Sequence, residues 1–277
     1  MSPARLQGAP TGMALDFASG TPPAHWAGQV RGAGIIGVIV DTWNPAWAQI
    51  FTQNLAAGLG TAAFQGYLAA AWGTPSEAFS RAQAMVATLK AAGYPAGGDC
   101  WLDCEAMAIS DAAAIAWITA WGETINQAGY TAKVYVGAGC PLTGQQWYDL
   151  GPITGYWRST SNVPEVPTRG YQIIQTGTNQ TEAGWLVDRD SLRTDAKGGV
   201  PRFAVPEVTP VVGPTAPTTP WRFYQVTVQA GQTLAGLAQT YGTSVAAIVD
   251  ANGLPASVSA TGSLAPYVGL HLMIPVL

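Results

Sequence analysis

Short runs of β-forming residues alternate with helix-like stretches along most of the chain. Three of these stretches, Ala46–Leu59, Ser76–Ala92 and Asp111–Ala128, end at or near a glycine, as helices commonly do. Eight runs have the composition of strands: Met13–Ala18, Ile35–Asp41, Ala62–Ala69, Asp99–Glu105, Ala132–Val136, Gly155–Arg158, Tyr171–Gln175 and Leu186–Asp190. This alternation is typical of βα units around a parallel sheet.

We expect an α/β fold, a compact (β/α)8 barrel of the TIM type whose late helices are degenerate. An open doubly wound sheet is the alternative. The barrel is favoured because polar residues recur where the strand candidates end, which is where barrel active sites are built.

The composition changes abruptly at residues 204–220, where five prolines alternate with valine and threonine. Such a segment forms a semi-rigid, extended linker. We therefore predict a barrel over residues 1–203, a linker over 204–220 and a small domain over 221–277.

Charge excludes several classes of partner. Only 10% of the 277 residues are charged, the net charge is −4, and the 12 lysines and arginines form no cluster. Nucleic acid and anionic membranes are not expected as partners, because both need a basic surface. The longest apolar stretch has about ten residues, and a membrane span needs about twenty.

Metal and redox chemistry have little support in the sequence. The chain has 3 cysteines without a CxxC pair and 2 histidines, so it lacks the usual ligand spacing for zinc, and no cofactor or metal is expected. Cys100 and Cys104 lie too far apart along an extended strand for a disulfide, which indicates packed thiols.

One strand candidate carries two acids. In Trp101-Leu102-Asp103-Cys104-Glu105 the side chains alternate, so Asp103 and Glu105 point to one side and Leu102 and Cys104 to the helices. Burying two carboxyls is costly, which indicates a use for them. Close acids tend to leave one protonated and one ionised, the pairing that cleaves glycosidic bonds.

Two further acids are expected at the same mouth. Asp16 ends the first strand candidate and Asp188 lies on the last, so barrel closure would make them neighbours. The alternative is that they cap helices or pair with Arg189.

These residues carry a resemblance to a known family. The first 200 or so residues resemble the family 25 glycoside hydrolases, lysozyme-type N-acetylmuramidases with an Asp on strand 1, an Asp-x-Glu on strand 4 and an Asp near strand 8. The matching residues are Asp16, Asp103 with Glu105, and Asp188. A related group of glycoside-hydrolase-like domains shares the barrel. Where the family usually carries a Tyr-His-aromatic motif, this chain reads Gly66-Tyr67-Leu68-Ala69.

The resemblance implies roles for these groups. Glu105 would be the general acid. Asp103 or Asp16 would stabilise the developing positive charge or orient the substrate's N-acetyl group, and Asp188 would hold substrate or a neighbouring acid. It also implies substrate contacts from Tyr67, Tyr135 and Gln172.

Aromatic residues are abundant, with 11 tryptophans and 10 tyrosines, and flat rings suit the apolar face of a sugar. Trp43, Trp72 and Trp157 lie near strand ends, where they would line the groove or instead fill the core.

The C-terminal segment resembles the LysM domain, with a βααβ order and the motif residues Tyr224-Gln225-Val226, Gly231-Gln232-Thr233-Leu234, Tyr241-Gly242-Thr243-Ser244 and Asn252-Gly253-Leu254. The resemblance implies a groove that hydrogen-bonds the acetamido groups of peptidoglycan or a chitin-like glycan. It would lie between the turn at Gly231, Gln232, Thr233 and Leu234 and the segment at Asn252, Gly253 and Leu254.

The sequence therefore predicts a peptidoglycan hydrolase that LysM anchors to the bacterial cell wall. No signal-peptide core is found at the N-terminus, which favours delivery as a phage lysin or virion-associated protein, or non-classical export. The alternative is a non-catalytic glycan-binding or structural tail component, with virion proteins as partners, that keeps the barrel as a scaffold.

Overall fold

The computed structural model describes residues 4–66, 68, 72–207, 222–252, 254, 262–269 and 271–276. The chain divides into two compact units, Met1–Glu207 and Val208–Leu277. None of the helices formed by these residues is long and apolar enough to cross a membrane.

The described part of the first unit contains ten strands and five helices. The strands are β1 (Ala4–Gly8), β2 (Thr11–Phe17), β3 (Ile35–Asp41), β4 (Gly60–Gln65), β5 (Asp99–Cys104), β6 (Thr131–Val136), β7 (Tyr156–Arg158), β8 (Ile173–Glu182), β9 (Trp185–Arg193) and β10 (Arg202–Pro206). The helices are α1 (Trp26–Gly32), α2 (Trp47–Ala56), α3 (Pro75–Ala91), α4 (Asp111–Gln127) and α5 (Gly144–Tyr148).

Strands β2 to β9 form a closed ring in chain order. β4 pairs with β5, and β9 returns to pair with β2, so no edge is left open. The predicted barrel is confirmed, and the eight strand candidates correspond to these eight strands. The open sheet is excluded, because an open sheet has two unpaired edges.

The last strand departs from a regular (β/α)8 pattern. β2 to β8 run parallel, but β9 runs antiparallel to both neighbours. A tight turn at Ala183 and Gly184, both with positive φ, joins β8 directly to β9. Such a turn suits a two-residue hairpin and leaves no room for a crossover helix. The described chain between α5 and Glu207 accordingly contains no helix.

Two strands outside the ring were not anticipated. β1 and β10 pair antiparallel over their whole length, and β10 also contacts β4 through Ala204 and Thr61. The first unit thus continues to Glu207, past residue 203.

The barrel sheet separates two apolar layers. Trp101, Trp157 and Phe64 belong to the cluster inside the ring, whereas Leu102 and Cys104 pack in the larger cluster between the sheet and the helices. The predicted alternation along β5 is confirmed. Cys100 and Cys104 are both buried free thiols.

Capping side chains begin two of the helices, and glycines follow their ends as predicted. Ser110 caps α4 by accepting a hydrogen bond from the Ala113 amide, and Thr74 with Glu77 forms a capping box at α3. Gly93 and Gly129, which follow α3 and α4, adopt positive φ.

The second unit has the predicted βααβ order, with β11 (Arg222–Thr227), α6 (Leu234–Tyr241), α7 (Val245–Asn252) and β12 (His271–Val276). β11 and β12 pair antiparallel. Its core includes Leu234, Ile248, Leu272 and Ile274.

Candidate active site

A cavity of about 520 Å³ opens where the parallel strands of the ring end. Its walls come from the end of β2 and the loop after it, from β4, β5, β6, β7 and from the β8–β9 hairpin. The lining residues are Asp16, Phe17, Ala18, Ser19, Gly20, Phe64, Asp103, Glu105, Tyr135, Trp157, Gln175, Asn179, Trp185, Leu186, Val187 and Asp188. The four acids singled out in the sequence therefore lie around one cavity.

Asp16 and Asp188 are direct cross-strand partners on β2 and β9. The Asp188 carboxylate accepts hydrogen bonds from the Asn179 amide at 2.7 Å and from Gln175 Nε2 at 2.9 Å. Burial, with the nearby charge of Asp188, raises the pKa of Asp16 to about 7. Asp16 therefore titrates near neutral pH.

Asp103 is a buried acid with one unpaired carboxyl oxygen. Its side chain is 8% exposed, and its Oδ1 has no hydrogen-bond partner among the described residues. Burial first, and then the charge of Glu105, raise the pKa of Asp103 well above its ordinary value. The environment of Asp103 therefore favours its protonated form.

Glu105 follows β5 and is only half-buried. Burial and the charge of Asp188 both raise its pKa. A partly accessible acid with a raised pKa has the character of a general acid. Gly137 lies against it, and a Cβ atom at Gly137 would come within 2.4 Å of the Glu105 Cβ.

Asp190 was missed by the sequence reasoning. It is fully buried on β9, its Oδ1 accepts a hydrogen bond from Trp157 Nε1 at 2.9 Å, and burial followed by the charge of Asp16 raises its pKa well above its ordinary value. The signal was present in Asp188-Arg189-Asp190, because alternation in a strand points both acids to the same side.

Gln175 was also missed as a functional residue. It is 6% exposed, its Nε2 donates to Asp188 at 2.9 Å and to Asp16 at 3.4 Å, and its Oε1 accepts from the Tyr135 hydroxyl at 3.1 Å. Single-sequence patterns do not reveal such a role, since it depends on which strands become neighbours.

Asp41 ends β3 and has a structural role. Its Oδ1 accepts hydrogen bonds from the Trp43 and Gly66 amides at 2.9 and 3.2 Å, and burial raises its pKa.

Two of the predicted aromatic contacts line the cavity. Trp157 and Tyr135 pack edge to face with ring centroids 4.7 Å apart. Phe17, Phe64 and Trp185 add apolar wall that the sequence reasoning did not single out.

The predicted substrate contacts from Trp72 and Gln172 are wrong. Trp72 packs edge to face against Trp117 within the core between sheet and helices, because the loop before α3 turns its ring inwards. Gln172 lies towards the opposite end of the barrel, where its amide bonds Lys133 and Asp195 in a buried ionic network. Neither side chain lines the cavity.

Trp43 is 43% exposed, with the Arg81 guanidinium 5.0 Å from its ring centroid, and is not a lining residue. Tyr67 lies outside the described residues.

In the second unit, several predicted glycan contacts serve the fold. Leu234 is fully buried in the core, and Thr233 caps α6 by accepting from the Gly236 amide. Both polar atoms of the Asn252 amide are bonded to the Met273 backbone, which fixes α7 to β12.

The remaining predicted positions of this unit are backbone or turn positions. Gly231 has a φ of +83°, Gln232 accepts from the Gln229 amide, and the Leu254 amide donates to Val249. Gly253 lies outside the described residues.

Among the residues that the structure describes, no three His, Cys, Asp or Glu side chains are arranged to hold a metal ion. None of the residues lining the cavity is basic. The site therefore offers carboxyl groups, the side-chain amides of Gln175 and Asn179, and aromatic walls.

Comparison with known proteins identifies the second unit. Residues 226–258 match the LysM domain family. No curated protein sequence matches the chain.

Solved structures resemble the first unit in fold. The Tat-secreted protein Rv2525c of Mycobacterium tuberculosis, solved with L-tartrate, superposes with a TM-score of 0.53 and 18% identity, covering 65% of this chain and 95% of that one. An uncharacterized protein of B. stearothermophilus superposes with a TM-score of 0.51 and 14% identity, covering 64% of this chain and 94% of that one.

The modular autolysin LytC of Streptococcus pneumoniae gives a TM-score of 0.50 and 14% identity, covering 65% of this chain and 46% of LytC. It has also been solved with a synthetic peptidoglycan ligand. The predicted resemblance to family 25 barrels is thereby confirmed at the level of fold, together with the LysM domain.

Proposed function

We propose that the first unit hydrolyses a glycosidic bond in the glycan strand of peptidoglycan and that the second unit holds the molecule on the same polymer. The observation that carries the proposal is the set of four carboxyl groups, Asp16, Asp103, Glu105 and Asp188, around one cavity with no basic lining residue. Hydrolysis of an acetal needs a proton donor and a negative charge, and carboxyl groups in different environments supply both.

Glu105 would donate its proton to the glycosidic oxygen, the carbon–oxygen bond would break, and the leaving sugar would depart as an alcohol. Asp188, which accepts two hydrogen bonds and is half-buried, would face the positive charge that develops on the sugar ring, supported by Asp16. Water would then add to the anomeric carbon, and its proton would pass to a carboxylate of the cavity.

Asp103 fits a different part of this reaction. In its protonated form, which burial favours, the Asp103 carboxyl stabilises a positive charge poorly, but its hydroxyl donates a hydrogen bond. An acetamido oxygen of an N-acetylated sugar would satisfy the Asp103 carboxyl, whose Oδ1 has no partner among the described residues. This supports an N-acetylated substrate.

The comparisons support the choice of polymer. LytC is an autolysin that has been solved with a peptidoglycan ligand, and a LysM domain accompanies the barrel here. We propose peptidoglycan as the substrate and the bacterial cell wall as the place of action. A phage lysin or a virion-associated lytic protein is the setting that we propose for two wall-directed units in one chain.

The test is the release of reducing sugar ends from purified peptidoglycan. We expect wild type to release them and Glu105→Gln to lose about 10²–10⁴-fold in rate, because general acid catalysis contributes about that much. The matched control is Glu123→Gln, which changes an exposed glutamate on α4.

Binding of both variants to intact walls should equal that of wild type. If neither wild type nor the control releases sugar ends while all three proteins bind walls, the proposed hydrolysis fails and the non-catalytic alternative is favoured.

A further inference from the structure

Gln175 occupies an unusual place in the ring of strands. It lies on β8, and its amide reaches Tyr135 on β6, Asp188 on the adjacent β9, and Asp16 on β2. One side chain thereby links groups from four of the five consecutive strands β6, β7, β8, β9 and β2.

The hydrogen bonds determine how the amide is oriented. A carboxylate only accepts hydrogen bonds, so Nε2 must face Asp16 and Asp188, and Oε1 must face the hydroxyl of Tyr135. The two amide hydrogens then serve two acids, and the third bond keeps the amide from turning over.

We infer that Gln175 is a positioning residue of the site: oriented by Tyr135, its amide favours the ionised forms of Asp16 and Asp188 and holds the two carboxyl groups beside the reacting sugar. Hydrogen-bond donors favour the charged form of a carboxyl group. The described donors of this amide go to Asp16 and Asp188 and not to Asp103, Glu105 or Asp190.

Asp190 also lowers the pKa of Asp16 through a side-chain hydrogen bond, but Gln175 is the side chain that donates to both Asp16 and Asp188. The titratable groups of the site are Asp16 on β2, Asp41 on β3, Asp103 and Glu105 on β5, Tyr135 on β6, and Asp188 and Asp190 on β9. The described lining residues include no lysine, arginine or histidine that would stabilise an anion. Asn179 contributes one backbone donor to Asp188 alone.

The kinetic part of this inference rests on the proposed function. In Gln175→Leu, we expect kcat on soluble peptidoglycan fragments to fall by about tenfold to a hundredfold, because a charge-assisted hydrogen bond is lost. The acid limb of the pH–rate profile should move up by about one unit, and KM should change by less than about threefold.

Thermal unfolding, which does not depend on catalysis, tests the inference about Gln175 separately from the proposed hydrolase function. Without the amide donors, ionisation of Asp16 and Asp188 becomes costlier in the folded protein. The midpoint of thermal unfolding should therefore fall further between pH 5 and pH 8 in Gln175→Leu than in wild type. Gln180→Leu, which changes an exposed glutamine of the same strand, should behave as wild type.

Tyr135→Phe provides a second variant of nearly unchanged volume. It removes only the hydroxyl that orients the amide. We expect kcat, the pH–rate profile and the unfolding midpoint to change in the same direction as in Gln175→Leu, but by less. If wild type releases no sugar ends, the proposed function fails, and the unfolding midpoints alone decide the inference. An equal fall in midpoint for wild type, Gln175→Leu and Tyr135→Phe overturns it.

Discussion

At the level of single residues, burial of the Asp16 carboxyl makes the stability of the folded protein depend on pH. Its pKa is raised to about 7 by burial and by Asp188, whereas the unfolded chain has the ordinary value near 4. Folding is thus favoured by Asp16 below about pH 4, and this contribution is lost as the pH rises through 7.

Replacing Asp16 with asparagine should remove the loss of folding stability that accompanies the rise in pH. We expect Asp16→Asn to be more stable than wild type at pH 8, by on the order of 1–4 kcal/mol, with a smaller difference at pH 5. Thermal unfolding at both pH values measures this. Asp149→Asn changes an exposed aspartate and serves as the control. Equal pH dependence in Asp16→Asn and wild type would contradict the argument.

Gly137 is a second residue that matters for the site, because the side chains of Glu105 and Tyr135 lie against it. An added Cβ would lie 2.4 Å from the Glu105 Cβ and 3.0 Å from the Tyr135 ring. The first of these is the stem of a side chain and cannot simply swing away.

Gly137→Ala should therefore displace Glu105. We expect a loss of about 1–3 kcal/mol in unfolding free energy from overpacking and at least about a tenfold fall in the release of sugar ends, because small misplacements of catalytic groups are costly. Gly151→Ala, with open space around the new Cβ, is the control. Activity equal to that of wild type would show that Glu105 has room to move.

At the level of elements, the β8–β9 hairpin replaces a helix and forms one wall of the cavity. It contributes Gln175, Asn179, Trp185, Leu186, Val187 and Asp188. Trp26 Nε1 on α1 donates to the Glu182 carbonyl at 2.8 Å and fixes the hairpin near its tip. Trp185 packs against Phe17, with ring centroids 6.4 Å apart.

Leu186 is the exposed apolar residue of this wall, with 57% of its surface accessible. If the hairpin contacts the substrate, Leu186→Ser should raise KM by about threefold to tenfold, since about 0.7–1.4 kcal/mol of apolar contact is removed. The unfolding midpoint should stay the same, because the side chain is exposed. Leu186→Met, which keeps an apolar side chain, should retain the wild-type KM. An unchanged KM in Leu186→Ser would place the substrate away from the hairpin.

At the level of the whole molecule, the two units have separate cores, and the described residues that line the cavity belong to the first. Linking a binding module to a catalytic one raises the local concentration of substrate without new contacts at the reacting atoms.

A chain ending at Glu207 should therefore fold and act on soluble fragments within about twofold of the full-length rate, but sediment poorly with cell walls. Circular dichroism, wall sedimentation and the release of sugar ends measure these outcomes. Loss of activity on soluble fragments in a folded truncated chain would mean that the second unit contributes to the cavity.

Much of the architecture was predictable from local patterns. The alternation of strand and helix signals identified all eight strands of the ring, and period-two alternation placed Asp103 inside and Leu102 outside. Helix ends at Gly93 and Gly129 followed from the conformational freedom of glycine. These properties depend on residues that are close in sequence, so a single sequence contains the information.

Other properties depend on which strands become neighbours. The antiparallel pairing of β9 with β2 decides that Asp188 faces Asp16, and the pairing of β8 with β9 brings Gln175 within reach of both. The same packing turns Trp72 into the core and places Gln172 in the ionic network with Lys133. The chain's sequence by itself determined the strands, the helices and the acids. Only the tertiary structure decided which acids share a cavity and how burial changes their pKa values, because hydrogen bonding and desolvation depend on contacts between residues far apart in the chain.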